Sequence, residues 1–238
     1  MANPLMKEEV FKEALTEDSN DLMTLEGAIN KSLILVGILI LTAIGVWSHA
    51  DMFIPYLLPI VLIAFILALI IIFFKKSSPF LTPIYAVLEG LAIGVISAFY
   101  ERELPGIVIQ AVSLTFGVFL IMLFLYKSKL IKVTENFKTG VIASTGAIAL
   151  IYIISIVGSL TGWFNVPMIH ESGMVGILFS LFVVSIASLN LVLDFDNIET
   201  GVEMRAPKYM EWYTSFGLLI TLVWLYLEIL KLLSKSRK

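Results

Sequence analysis

The 238-residue sequence has no cysteine, only two histidines and few charges, with Asp, Glu, Lys and Arg making up 15% of it. Without cysteine there is no disulfide framework and no thiolate to serve as nucleophile or metal ligand. His49 and His170 stand alone near connecting segments, so no HExxH or paired-histidine metal motif exists. A phosphate-cradling glycine loop and a GxSxG elbow are missing as well. The net charge is -3 and no basic stripe is present to suggest a nucleic-acid partner. These gaps argue against an enzyme and against a resident cofactor.

What the chain has in excess is apolar residues, 59% of the total, with a mean hydropathy of +0.97. That composition belongs to an integral membrane protein whose solvent is the lipid bilayer. A helix needs roughly 20 apolar residues to cross the hydrocarbon core. Runs of that length fall at Lys31–Ala50, Ile54–Phe74, Phe80–Tyr100, Gly106–Tyr126, Phe137–Leu160, Met174–Leu193 and Trp212–Leu233. They are continuously apolar rather than alternating, which selects helices over a transmembrane barrel. The expected fold is an all-α bundle of seven spans over residues 31–238.

Residues 1–30 read as a polar, acidic tail, with Lys7 and Lys12 set against Glu8, Glu9, Glu13, Glu17, Asp18, Asp21 and Glu26. A cleaved signal peptide would begin basic and turn apolar sooner, and Lys7–Leu15 could wind into an amphipathic helix. Lysines and arginines concentrate in the even-numbered connections: Lys75 and Lys76, then Lys127, Lys129, Lys132 and Lys138, then Arg205 and Lys208. The odd-numbered connections contain only Arg102. The amino terminus and even connections are therefore expected on the cytoplasmic side. The basic tail of Lys231, Lys235, Arg237 and Lys238 runs against this assignment, which places it outside.

A charged side chain inside a membrane is costly unless paired, hydrated or neutralised, which singles out three carboxylates. Glu89, in PIYAVLEGLAIG, lies about 13 Å into the third span at 1.5 Å per residue. Asp194 closes the sixth apolar run, followed by Asp196 in LDFDNIE. Glu228 lies in the outer portion of the seventh span, within reach of Lys231 or Lys235. Asp194 and Asp196 point to opposite sides of one helix, so they cannot form an aspartyl-protease dyad. A polar helix end meeting water is the plainer account of that pair. The small residues Gly90, Ala92, Gly94, Ser97 and Ala98 suit close helix packing more than a pore.

These features, with LEGLAIGVISAFYE, LNLVLDFDNIE and APKYMEWYTSFGLLITLVWLYLEILKLL, resemble the Bax inhibitor family and especially a bacterial branch of it. The resemblance implies a bundle around a central seventh helix in a bacterial cytoplasmic membrane. It also implies that some members act as pH-sensitive calcium leaks, closed by a latch of one aspartate at the end of span six and another in span seven. A basic residue ending span two assists that latch. Asp194 matches the first aspartate, and the basic position falls at Lys75 or Lys76. The second aspartate position is Leu219, so this chain departs from the two-aspartate pattern. Aligning Glu228 instead needs an insertion and places it roughly 20 Å from Asp194 in depth.

Two function classes follow. In one, the protein passes or senses cations such as Ca²⁺ through a pathway lined by Glu89 and by Asp194 with Asp196. Asn190, Asn197 and Ser188 would add oxygen ligands there, and either Glu89 or a lysine at 75 or 76 would partner Asp194. In the other, residues 1–30 bind a membrane protease or another membrane protein and no ion passes, as the resemblance implies for some bacterial relatives.

Overall fold

The computed structural model describes residues 21–162 and 173–237, and over these the chain is helical almost throughout. The proposed amphipathic segment Lys7–Leu15 and His170 lie outside the described residues. We label the long helices α1 (Leu25–Trp47), α2 (Leu57–Phe73), α3 (Ser78–Glu103), α4 (Ile107–Lys127), α5 (Glu135–Thr161), α6 (Met174–Glu203) and α7 (Met210–Ser236). Short helical turns at Ala50–Phe53 and Ile54–Tyr56 lead into α2, and Lys75–Ser77 joins α2 to α3. Seven helical segments of the described residues are long and apolar enough to cross a membrane. The protein is a seven-helix, multi-pass integral membrane protein.

Each apolar run marks its helix, but the ends differ: α3, α5, α6 and α7 reach beyond their runs, while α2 falls short of its run at both ends. α1 begins at Leu25 rather than Lys31, because Thr24 caps it with an extended backbone and a side chain that accepts from the Gly27 N–H. α6 runs ten residues past Leu193 to Glu203, since its final segment continues to bury Ile198 while exposing Glu199 and Glu203. This moves Asp194 and Asp196 from a helix end into a helix. Apolar composition finds the hydrocarbon-crossing part and leaves out the polar turns that continue the same helix.

Two compact units make up the chain. The first contains α1, α2 and α3 with residues Asp196–Ile220, and the second contains α4 and α5 with Gly106–Phe195 and Thr221–Lys238. α6 passes from the second to the first at Asp196, and α7 returns at Thr221.

Inside the first unit α3 packs on α1 and on α2. The α1–α3 contact depends on glycine: a β-carbon at Gly90 would come within 2.6 Å of the Leu39 carbonyl oxygen. One at Gly94 would strike Val46 and approach the Ala43 oxygen at 2.7 Å. The small-residue stripe of α3 is thus a close-packing surface, as its spacing suggests. In the second unit Val141, Ile142 and Leu193 form one core cluster. Ile148, Val183 and Ile186 form another, with Tyr152, Phe179 and Trp224 packed against it.

α7 is the most enclosed of the spans, followed by α6 and α3. Large side chains such as Leu58, Phe65, Phe73, Leu120 and Phe124 stand more than half exposed. In water that surface would drive aggregation, whereas in a bilayer it faces lipid tails.

Candidate functional site

Asp194 sits about 13 Å from the carboxyl end of α6 at the helical rise and is 1% exposed. Asp196, two residues on, is half-buried, as expected from the opposite headings of the two side chains. One turn before Asp194 is Asn190, also buried, whose amide donates to the Thr145 hydroxyl at 2.8 Å and to the Ile186 carbonyl at 2.9 Å. Asn190 therefore ties α6 to α5 beside the acid, and its amide nitrogen is committed. The Ser188 hydroxyl donates to the Val184 carbonyl within α6. Asn197 is half-buried in the part of α6 belonging to the first unit.

In the first unit Glu89 lies near the middle of α3, half-buried, and accepts a 2.6 Å hydrogen bond from Tyr85 one turn earlier. The Tyr85 ring is held edge-on by Phe216 of α7, with centroids 4.9 Å apart. Tyrosine thus supplies Glu89 with a donor at membrane depth. Lys75 is half-buried and Lys76 exposed in the turn between α2 and α3. Leu219, standing where the resemblance places a second aspartate, is buried at 2% exposure. Asp194 belongs to one unit and Glu89 with Lys75 and Lys76 to the other.

Glu228, expected to find a partner three residues on, does so. Lys231 Nζ lies 2.9 Å from its Oε1, and the Tyr152 hydroxyl donates to the same oxygen at 2.9 Å. The Lys231 ammonium also stands 4.9 Å from the Tyr152 ring centroid. Lys235 instead donates to the Ser180 hydroxyl and the Gly176 carbonyl of α6.

A fourth buried acid, Glu211 in the first turn of α7, has no exposed side-chain surface. Its Oε1 accepts from the Thr24 N–H at 2.9 Å, from the Thr24 hydroxyl at 3.0 Å and from Lys208 Nζ at 3.0 Å. Its Oε2 pairs with Lys31 Nζ at 2.9 Å. Gly27 is what lets the carboxylate approach α1, because a β-carbon there would overlap the carboxyl group. The hydrogen bond from Lys208 to Glu211 holds that ammonium above the ordinary lysine range. Below this cluster, Ser215 donates to the Ala28 carbonyl and Ser32 to Ser215.

Glu211 escaped the sequence reading because it precedes the apolar run and most of its partners lie nearly the whole chain away. The available signal was an acid within the first turn of a span, three residues after Lys208, in PKYMEWY. Among the described residues no three His, Asp or Glu side chains gather as a metal-binding group.

The chain matches the model of the family described as Bax inhibitor 1 like over residues 3–238. It belongs to the Bax inhibitor 1-like family. No curated protein and no solved structure matches it. Asp194, Glu89, Glu228 and Glu211 are thus acids carried on the span-length helices of a Bax inhibitor 1-like chain. The last two are fastened by lysines, while Glu89 is held by a neutral tyrosine.

Proposed function

We propose that this protein passes cations, Ca²⁺ among them, across the membrane, with Asp194 as the group whose charge governs passage and Glu89 as a carboxylate along the route. The observation that supports this reading is the burial of Asp194 at 1% exposure inside a membrane-crossing helix. Keeping an acid there opposes the bilayer, and such residues are retained for ions or protons. Family membership adds to it, as does the pairing of Glu89 with an uncharged tyrosine, which leaves its negative charge uncompensated by that partner.

Ionised Asp194 attracts a cation, and protonation removes the attraction, so passage follows pH. With Leu219 at the other latch position, the control rests on a single aspartate, Asp194. The ion is cargo, not a resident cofactor, and no covalent chemistry is involved. The amino terminus and the lysine-rich even connections face the cytoplasm.

Purified protein in liposomes loaded with a calcium-sensitive dye tests this. Wild type should admit Ca²⁺ at a pH-dependent rate, and Glu89→Gln should slow entry by about tenfold, the effect of roughly 1.4 kcal/mol on a barrier. Flux no faster than in protein-free liposomes, or indifferent to both Glu89→Gln and Asp194→Asn, overturns the proposal.

A second reading, in which the amino-terminal tail binds a membrane protease or other membrane protein, is favoured by the attachment of Asp21 and Met23 to the α6–α7 connection. Deleting residues 2–20 separates the two. A transporter keeps its flux, whereas a regulator loses its crosslinked partner.

A further inference from the structure

The residues before α1 are held in an unusual manner. Met23 N–H donates to the Ala206 carbonyl at 2.7 Å, Lys208 N–H donates to the Asp21 carbonyl at 2.9 Å, and Leu22 faces Pro207 in an antiparallel bridge. Of residues 21–26 only Met23 is buried, so apolar burial does little to keep the segment in place. The Glu211 carboxylate does much more, since it binds both the backbone and the hydroxyl of the residue that caps α1. It also lies at the amino end of α1, where a helix favours negative charge. The two lysines that compensate it retain contact with solvent, their side chains 22% and 39% exposed for Lys31 and Lys208. The contact is thus a buried anion reached by solvated cations. Such a contact opens through the movement of a few polar groups.

We infer that Glu211 fastens residues 21–31 to the first turn of α7 as a removable strap, so that a change imposed on the chain before Asp21 is delivered to the α6–α7 connection. Three features make the coupling specific. Glu211 joins the cap of α1 to α7, Ser215 repeats the link one turn further along by donating to the Ala28 carbonyl, and the backbone pairing binds the same segment to residues 206–208. Residues 21–31 and 205–216 therefore open and close together. The inference stands apart from cation passage and concerns only these contacts.

Hydrogen exchange by mass spectrometry on the full-length protein in detergent reads it directly. In Glu211→Gln, exchange should rise by about tenfold in residues 21–31 and in 205–216 together, as expected when a charge-assisted contact guarding a local opening is lost. Gly27→Ala should give the same paired rise, because the added methyl displaces the carboxylate, although alanine is the better helix former. Thr24→Ala, which keeps the acid, supplies a milder variant should Glu211→Gln fail to fold.

The chain has no cysteine, so Leu22→Cys with Pro207→Cys can form only one disulfide. Closing it in the Glu211→Gln background should restore protection to both segments. A rise confined to residues 21–31, or no rise in folded Gly27→Ala and Thr24→Ala, overturns the strap.

Discussion

Glu211 shows how a carboxylate persists at the edge of a membrane: four donors from Thr24, Lys31 and Lys208 converge on two oxygens with no exposed surface. Removing the charge leaves Lys31 and Lys208 facing a neutral group. Glu211→Gln should therefore lower stability by about 1.5 kcal/mol, less than for a fully buried pair because both lysines are partly exposed, seen as a fall in the denaturation midpoint in detergent. Tyr152→Phe removes a single neutral donor from Glu228, which keeps Lys231. Its cost should be near 1 kcal/mol by the same measurement. The Glu228–Lys231 contact was legible in the sequence because both residues share one helix turn. The Glu211 contact was not, because Thr24 and Lys31 are brought to it by the fold and no local spacing announces them.

At the scale of elements, the seven crossings were legible because a span must be continuously apolar, and each observed helix contains the greater part of its run. The ends were less so. α6 continues through NIETGVE, which carries charge yet still buries Ile198, and this extension is what turns Asp194 from a residue at the water boundary into a buried one. The α1–α3 packing makes its own prediction. Gly94→Leu must push α1 away where Val46 and Ala43 now touch the glycine, and overpacking of that kind costs about 2 kcal/mol or more, readable as a lower denaturation midpoint.

The α6–α7 connection adds a dependence on pH. Lys208 has its pKa raised by Glu211 from a reference of 10.5. A raised lysine contributes stability that is fully present below its unfolded pKa and is lost as pH climbs through the folded one. The midpoint difference between wild type and Lys208→Met should thus hold constant through neutral and mildly alkaline pH, then shrink in strong alkali. Thermal scans across that range check it.

For the whole molecule, a Bax inhibitor 1-like chain of seven spans carries acids on several of its helices, Glu228 and Glu211 among them fastened by lysines. Family resemblance singled out Asp194 and Leu219, and both are buried. The partition of α6 and α7 between two compact units lay beyond any reading of apolar runs, since it depends on which helices pack together.

The most direct test of the functional account is Ca²⁺ entry into dye-loaded liposomes containing the purified full-length protein, compared for wild type and Asp194→Asn from mildly acidic to mildly alkaline pH. The account predicts entry faster than in protein-free liposomes and dependent on pH for wild type, with one unchanging rate for Asp194→Asn. Entry no faster than in protein-free liposomes, or the same pH profile in both proteins, would contradict it.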